Sequence, residues 1–266
     1  MDDLLPMKFP LVSVIVPNYN NEAFIAKCFD SLLKQTYSNI EIIFVDDCST
    51  DQSVKIVKSY QKLHQKINII QNPVNMGVSV TRNIGLITAT GKYVTTLDSD
   101  DEYLPKKIEQ EVRVLENRGR CDFAAYSDLI VRYKDKDVLL SPNISPSNDA
   151  SNLILFRKGS IPRDLMFHRE KIEQLKYRFD RKLDKYEDWD FMIRLLNDVK
   201  LLFSGEVGVI YNQHEYGLSR GSILNHMYWT SIVFMKNYKT TSWVKRLFGI
   251  CCVFVNMLMH KVRLIR

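Results

Sequence analysis

Residues 11–17 read Leu-Val-Ser-Val-Ile-Val-Pro, a β-branched run stopped by Pro17. That is the pattern of a strand buried on both faces. The next eighty residues decide the fold. Over residues 21–36, Phe24, Cys28 and Leu32 recur every four positions and form one apolar helix face. Glu41-Ile-Ile-Phe-Val-Asp46 reads as a second buried strand, and Asp47-Cys-Ser-Thr-Asp51 as a turn of N-cap residues before a helix over 52–64. A third strand is expected at Ile67–Gln71, then a loop broken by Pro73 and Gly77, a helix over 78–89 and, past Gly91, a strand over 92–97. Strand and helix alternate throughout. This predicts an α/β fold with a mostly parallel sheet, helices on both faces and right-handed crossovers.

Ligands of such sheets sit beyond the C-terminal ends of the strands. Pro17–Asn20, Asp46–Asp47 and Asp98–Asp101 all fall at those ends, so three separated polar clusters should meet on one edge. The last of them, Lys92-Tyr-Val-Thr-Thr-Leu-Asp-Ser-Asp-Asp101, is a strand running straight into three carboxylates. Hard oxygen ligands on a short turn do not close a cage. They suit a divalent cation that keeps positions open for a diphosphate. A solvated turn is the competing reading, since Asp and Ser favour turns on their own account.

Beyond residue 101 the pattern changes. A helix is expected over 104–117, with Leu104, Ile108, Val112 and Leu115 on one face, then one or two strands over Cys121–Tyr133. Residues 141–152 form a loop rich in turn residues, suited to a mobile cover over the site. A helix over 187–197 opens with acidic groups, as the helix dipole prefers. Two short strands, 199–203 and 207–211, precede His214. The expected domain is 1–221, with a nucleotide-binding half about 11–101 and an acceptor half about 102–221.

The 266 residues are 45% hydrophobic and 26% charged, which is ordinary globular composition. The net charge of +6 is unevenly placed. Residues 222–266 hold seven Lys or Arg and no Asp or Glu, so the remainder carries −1. Within that segment Leu247–Met259 is a thirteen-residue apolar run, interrupted by Gly249 and Asn256. A spanning helix needs about 20 apolar residues, so this run is too short to cross a bilayer. Basic flanks around an apolar helix fit a helical segment lying in an anionic membrane interface. A core or dimer helix is the alternative, which leaves an oligomer open. The basic residues follow no groove-sized face and no nucleic-acid motif accompanies them, which argues against nucleic acid. Five cysteines show no C-x-x-C spacing, and Met1-Asp-Asp-Leu-Leu-Pro6 lacks the basic start and apolar core of a signal peptide. The expected location is cytoplasmic, peripheral at the inner face of the cell membrane.

Taken in order, five blocks resemble the family 2 glycosyltransferases of the GT-A type, whose sheet is Rossmann-like. They are Val12-Ser-Val-Ile-Val-Pro-Asn-Tyr-Asn20, Val45-Asp-Asp-Cys-Ser-Thr-Asp51, Asn75-Met-Gly-Val-Ser-Val-Thr-Arg-Asn83, Gly91-Lys-Tyr-Val-Thr-Thr-Leu-Asp-Ser-Asp-Asp101 and Tyr186-Glu-Asp-Trp-Asp190. A weaker sixth is Tyr211-Asn-Gln-His214 followed by Ser219. The resemblance covers residues 11 to about 220. It implies transfer of a sugar, with inversion, from a nucleotide sugar to an acceptor hydroxyl.

By that resemblance Pro17 and Tyr19 hold the base, with the Tyr19 ring against uracil, Asn20 is a further donor-binding residue, and Asp47 accepts from the base N3–H. Arg82 lies near the diphosphate or the sugar, and Asp98 and Ser99 near ribose or the donor sugar. Asp100 is the direct ligand of Mn²⁺ or Mg²⁺, with Asp98, Asp101 and His214 as further candidates. Asp188 is the general base, with Glu187 and then Asp190 as alternates, and Trp189 would offer the acceptor a platform. A base of this kind suits a partly buried carboxylate of raised pKa. Thr81 departs from the small residue usual before the arginine, and Asn212 from the basic residue that often precedes the last histidine. The implied donor is a UDP-sugar and the acceptor a glycan or lipid-linked glycan of a bacterial-type polysaccharide, capsule or lipooligosaccharide.

Two other functions fit an α/β nucleotide site. A nucleotidyltransferase would carry a Gly-rich basic loop after the first strand, yet residues 18–23 are Asn-Tyr-Asn-Asn-Glu-Ala. A non-catalytic nucleotide-sugar module would have no need of all three loop acids and the Glu187-Asp188 pair.

Overall fold

A computed structural model describes residues 9–134, 136–142, 144, 150–156, 162–176, 178–213, 222–239, 243 and 247–255. The first hundred residues form β1 (Val12–Asn18), α1 (Ile25–Leu33), β2 (Ile40–Asp46), α2 (Ser53–Leu63), β3 (Ile67–Gln71), α3 (Val78–Thr88) and β4 (Tyr93–Thr96). They give a parallel block in the order β3-β2-β1-β4. All seven residues of β1 are buried, and its pleat divides them between two cores. Val12, Val14 and Val16 join α1 and Val57 of α2 on one face; Ile15 joins Leu86 of α3 on the other. α3 lies unusually close to β1: a Cβ on Gly85 would stand 2.3 Å from Ile15 Cγ2. Only glycine permits that approach.

The chain continues with β5 (Glu102–Tyr103), α4 (Lys107–Arg118), β6 (Phe123–Tyr133), β7 (Lys136–Leu140), α5 (Ala150–Leu155), β8 (Met166–His168), α6 (Arg169–Leu175), α7 (Glu187–Leu195), β9 (Lys200–Gln213) and α8 (Ile223–Asn237). These strands extend the sheet past β4 as β8-β6-β9-β5, with β7 paired to β6. β8 runs antiparallel to both β4 and β6, while β6 and β9 are parallel. The result is the mixed but mostly parallel sheet expected, covered by α1, α2 and α4 on one face and by α3, α5 and α7 on the other.

Several boundaries differ from the sequence reading. α1 starts at Ile25 because the Asn21 carbonyl closes a turn on the N–H groups of Phe24 and Ile25. Helix α4 excludes Leu104, which precedes Pro105 and so avoids helical backbone. Its N–H donates instead to the Gly208 carbonyl (2.8 Å). The two strands expected at 199–203 and 207–211 are one strand, β9, kinked by a bulge opposite Ser127, where Gly205 takes φ +87°. Residues 150–152 of the expected loop belong to α5, and Ile144 is buried with its backbone held by the Tyr126 hydroxyl. Positions 143 and 145–149 of that loop lie outside the described residues.

Candidate active site

The three polar clusters converge on one edge as expected. Asn18 and Asp46 are paired in register at the ends of β1 and β2, and the Asn18 amide donates to Asp46 (2.9 Å). Pro17 is buried in β1, while Tyr19 leaves the strand end about half exposed, open to a flat ligand. Asn20 takes φ +51° and accepts from the Thr50 N–H (2.8 Å), tying the β1 loop to the β2 loop. Asn21 donates to the Ser99 hydroxyl (2.6 Å), tying the same loop to the β4 turn. Ser99, expected to face the donor, is buried and acts as that tie.

Asp47 is also buried. Its carboxylate accepts from the Asn72 amide and from the backbone N–H groups of Met76 and Gly77, each at 2.8 Å. It therefore shapes the loop that leads into α3. Thr81, the departure noted in the sequence, lies in the first turn of α3 and bonds back to that loop: its hydroxyl donates to the Gly77 carbonyl (3.0 Å) and accepts from Asn72 (3.3 Å).

Arg82, projecting from α3, is the hub. Its guanidinium reaches Asp98 at 2.6 Å and Glu187 at 2.5 Å, with its side chain 8% exposed. The same guanidinium lies 5.4 Å from the Phe179 ring centre. Burial opposes the charge of Arg82, but Asp98, Glu187 and Asp188 together raise its pKa further. Burial likewise opposes the charge of Asp98, and Arg82 with Arg163 outweighs it, so Asp98 lies below the usual carboxylate range. Glu187 is shifted the other way: burial raises it more than Arg82 lowers it.

Helix α7 delivers the acids of the second half. Tyr186 enters it in a left-handed conformation (φ +63°) and its hydroxyl meets His226 Nδ1 at 2.7 Å. Asp188 is exposed at the helix head, and its carboxylate accepts from the Trp189 N–H (2.7 Å). Glu187, by contrast, is buried, and burial holds its pKa above the usual carboxylate range. Trp189 is not a platform, because it is buried and its indole donates to the Ile154 carbonyl (2.8 Å). Asp190, an alternate base by sequence, is fully buried and held by Arg194 (2.9 Å), Lys236 (3.0 Å) and Asn237 (2.9 Å), the last two from α8. It braces the helix.

The acids expected at a cation diverge. Asp98 turns to the arginines. Asp101 is buried, its Oδ1 accepting from the Asn212 N–H (2.9 Å), and burial raises its pKa well above the usual range. Asp100 is partly exposed, with its backbone carbonyl accepting from the Asn212 amide (2.8 Å). His214 and Ser219 lie outside the described residues. Among the described residues no three His, Cys, Asp or Glu side chains form a cation cage. One carboxylate at an open edge fits a cation only if a ligand supplies further oxygens. Asn212 has a plain task here, fastening the acidic turn to β9. Sequence reasoning missed Arg163, 3.4 Å from Asp98 and 4.0 Å from the Tyr211 ring centre. A lone arginine between helical and extended segments carries no motif.

Comparison with known proteins agrees with this fold. The chain is 21% identical to S. aureus TarS 1–349, whose structure in complex with UDP-GlcNAc superposes with a TM-score of 0.71 over 92% of this chain and 72% of that one. The mannosyltransferase PcManGT from Pyrobaculum calidifontis, in complex with GDP-Man and Mn²⁺, gives 0.64 at 17% identity over 97% and 76%. TuaG of Bacillus subtilis (strain 168), named as a putative teichuronic acid biosynthesis glycosyltransferase, is 40% identical over 115 residues, 43% of this chain and 45% of that protein. The model of glycosyl transferase family 2 matches residues 13–180, which contain the parallel block from the second residue of β1 onward and its acidic turn. With more than half of its length matching that model, on a sheet of the same fold, the chain is a glycosyltransferase and belongs to glycosyl transferase family 2.

Proposed function

We propose that the protein transfers a sugar from a UDP-sugar to an acceptor hydroxyl with inversion, in the synthesis of a bacterial-type cell-surface polysaccharide, capsule or lipooligosaccharide. The observation that carries this is the Arg82 bridge between Asp98, beyond β4, and Glu187, in the first turn of α7. It brings the exposed Asp188 to the edge where the nucleotide loops end. UDP-GlcNAc in TarS and the polymer named for TuaG support the donor class and the setting.

Asp188 takes the proton of the acceptor hydroxyl. The freed oxygen pair attacks the anomeric carbon from the face opposite the diphosphate. The bond from that carbon to the diphosphate oxygen breaks, its electron pair leaves with UDP, and the proton remains on Asp188. Glu187, held by Arg82, positions the head of α7 rather than exchanging protons. The Tyr19 ring covers the base. Asp47 orders the loop against the base edge. A divalent cation held by Asp100 and the diphosphate oxygens would neutralise the leaving group, as the Mn²⁺ complex of PcManGT supports.

The C-terminal segment supplies a peripheral membrane contact in this reading. Residues 247–255 are helical, with Val253 buried against the α8 core and Trp243, Leu247, Phe248 and Val255 exposed. No helix among the described residues is long and apolar enough to cross a membrane. Exposed aromatic and aliphatic groups beside basic residues suit an anionic interface. Loss of vesicle binding in Trp243→Ser/Phe248→Ser is the expected result, and unchanged partitioning would remove the membrane contact from the proposal.

The central test is release of free nucleoside diphosphate from a panel of nucleotide sugars with Mn²⁺. Release from one UDP-sugar is expected, abolished by Asp100→Ala and, with acceptor present, by Asp188→Asn. Release of pyrophosphate from a nucleoside triphosphate and a sugar phosphate would replace the reading with nucleotidyl transfer.

A further inference from the structure

Arg163 stands at the same edge, and the transfer step gives it no task. We propose that Arg163 is a donor-binding residue whose guanidinium takes an oxyanion of the nucleotide sugar, either a diphosphate oxygen or a carboxylate on the sugar. The inference rests on the glycosyltransferase reading and adds a ligand group to that site.

Three observations carry it. First, Arg82 is the nearer partner of Asp98, at 2.6 Å. Arg163 stands off at 3.4 Å, beyond the usual 2.7–2.9 Å or so of a strong charge-assisted contact. Its side chain keeps 28% exposure, whereas that of Arg82 keeps 8%. One guanidinium is a structural tie; the other faces the edge.

Second, the group is held in place from behind. Its guanidinium carbon lies 4.0 Å from the Tyr211 ring centre. The next residue, Asp164, adopts φ +50°, a conformation that favours glycine. Its carbonyl accepts from Lys107 Nζ and from the Thr95 hydroxyl, both at 3.1 Å. Lys107 is itself fully buried and paired with the fully buried Glu111 at 2.9 Å. A buried ion pair costs desolvation, and here its lysine also holds the backbone next to Arg163. Guanidinium groups locked in this way are suited to planar oxyanions.

Third, among the described residues the edge is otherwise acidic. Asp98, Asp100, Glu187 and Asp188 would repel a diphosphate, and Arg82 is already shared between two of them. A second cation beside Asp98 corrects that field where the donor enters.

The test is calorimetric binding by the full-length protein of UDP, UDP-glucose and UDP-glucuronate, each with Mn²⁺ and with chelator. Arg163→Gln should weaken binding about ten- to hundredfold, with unchanged thermal unfolding. Arg163→Lys should recover part of the loss, since lysine keeps the charge but not the fork. Tyr211→Leu should give a smaller loss by releasing the stack. Weakening of all three ligands assigns the diphosphate. Weakening of UDP-glucuronate alone assigns the sugar carboxylate. Wild-type affinity of Arg163→Gln for all three, with Asp100→Ala weakened in the presence of Mn²⁺, overturns the proposal and leaves the glycosyltransferase reading standing. If the wild-type protein bound none of these and no GDP-sugar, the donor reading would fall and this inference with it.

Discussion

The parallel block and the mixed extension meet at one sheet edge but build it by different means. In the block, polar groups sit at the ends of their own strands, and neighbouring loops tie to one another: Asn18 to Asp46, Asn20 to Thr50, Asn21 to Ser99. In the extension, the important contacts reach back across the chain. Glu187 meets Arg82 from 105 residues away, and Asn212 meets Asp101 from 111. The block is a platform made by local order. The extension works only once the whole sheet is assembled, and α8 then braces it through Lys236 and Asn237 on Asp190.

The sharpest way to break this contrast is to cut the bridge. Arg82→Met leaves Asp98 and Glu187 without their shared cation in a buried setting. A destabilisation of about 3–5 kcal/mol is expected, read by urea unfolding, together with loss of transfer. Near-wild-type stability would mean that the two halves are joined elsewhere. Next comes Asp188→Asn. It should lower kcat about a hundred- to ten-thousandfold while leaving UDP binding and thermal unfolding unchanged, because this side chain is exposed. A parallel fall in UDP affinity would move Asp188 from the acceptor side to the donor side.

Within the block, Gly85→Ala puts a methyl into Ile15 and should cost about 1–3 kcal/mol in a melting experiment, with kcat lowered as Arg82 is displaced along α3. On the brace, Lys236→Met removes one of three partners of Asp190. A cost of about 1–2 kcal/mol is expected, smaller than the loss at Arg82 because Arg194 and Asn237 remain.

The smallest effect concerns pH. Burial would raise Glu41, but the Ser13 hydroxyl and the N–H and hydroxyl of Thr90 outweigh it and hold it below the usual range. The unfolded chain then binds this proton more tightly than the folded one. Stability from Glu41 is present above the ordinary carboxyl range and lost as pH falls through it. Glu41→Gln should therefore flatten the acid limb of a stability–pH curve and leave the neutral region lower. Asp101 carries the opposite sign, because burial raises it. Asp101→Asn should ease rather than worsen stability as pH rises, provided Asn212 keeps its contact.

Much of the edge was legible because βαβ units are local. A β-branched run, a polar strand end and a helix period of about four each arise within twenty or so residues, and they placed Asp98–Asp101 and Pro17–Asn20 correctly. The misreadings share one cause. Trp189 is expected as an acceptor platform and Asp190 as an alternate base, yet both are buried, because α5 and α8 supply a carbonyl and two donors from distant segments. The break at 204–206 read as a turn between strands, but pairing with β6 carries the strand across it as a bulge.

From the sequence alone came the α/β class, the parallel block, the edge where the polar strand ends meet and the family. Periodicity and motif spacing encode these over short distances. Only the tertiary structure decided how each side chain is placed there: that Arg82 is a buried tie, that Asp188 rather than Glu187 is exposed, that Ser99 and Asp101 are buried, and that Arg163 stands beside Asp98. Burial and pairing are properties of segments brought together. A charged residue has no role until the fold selects its neighbours.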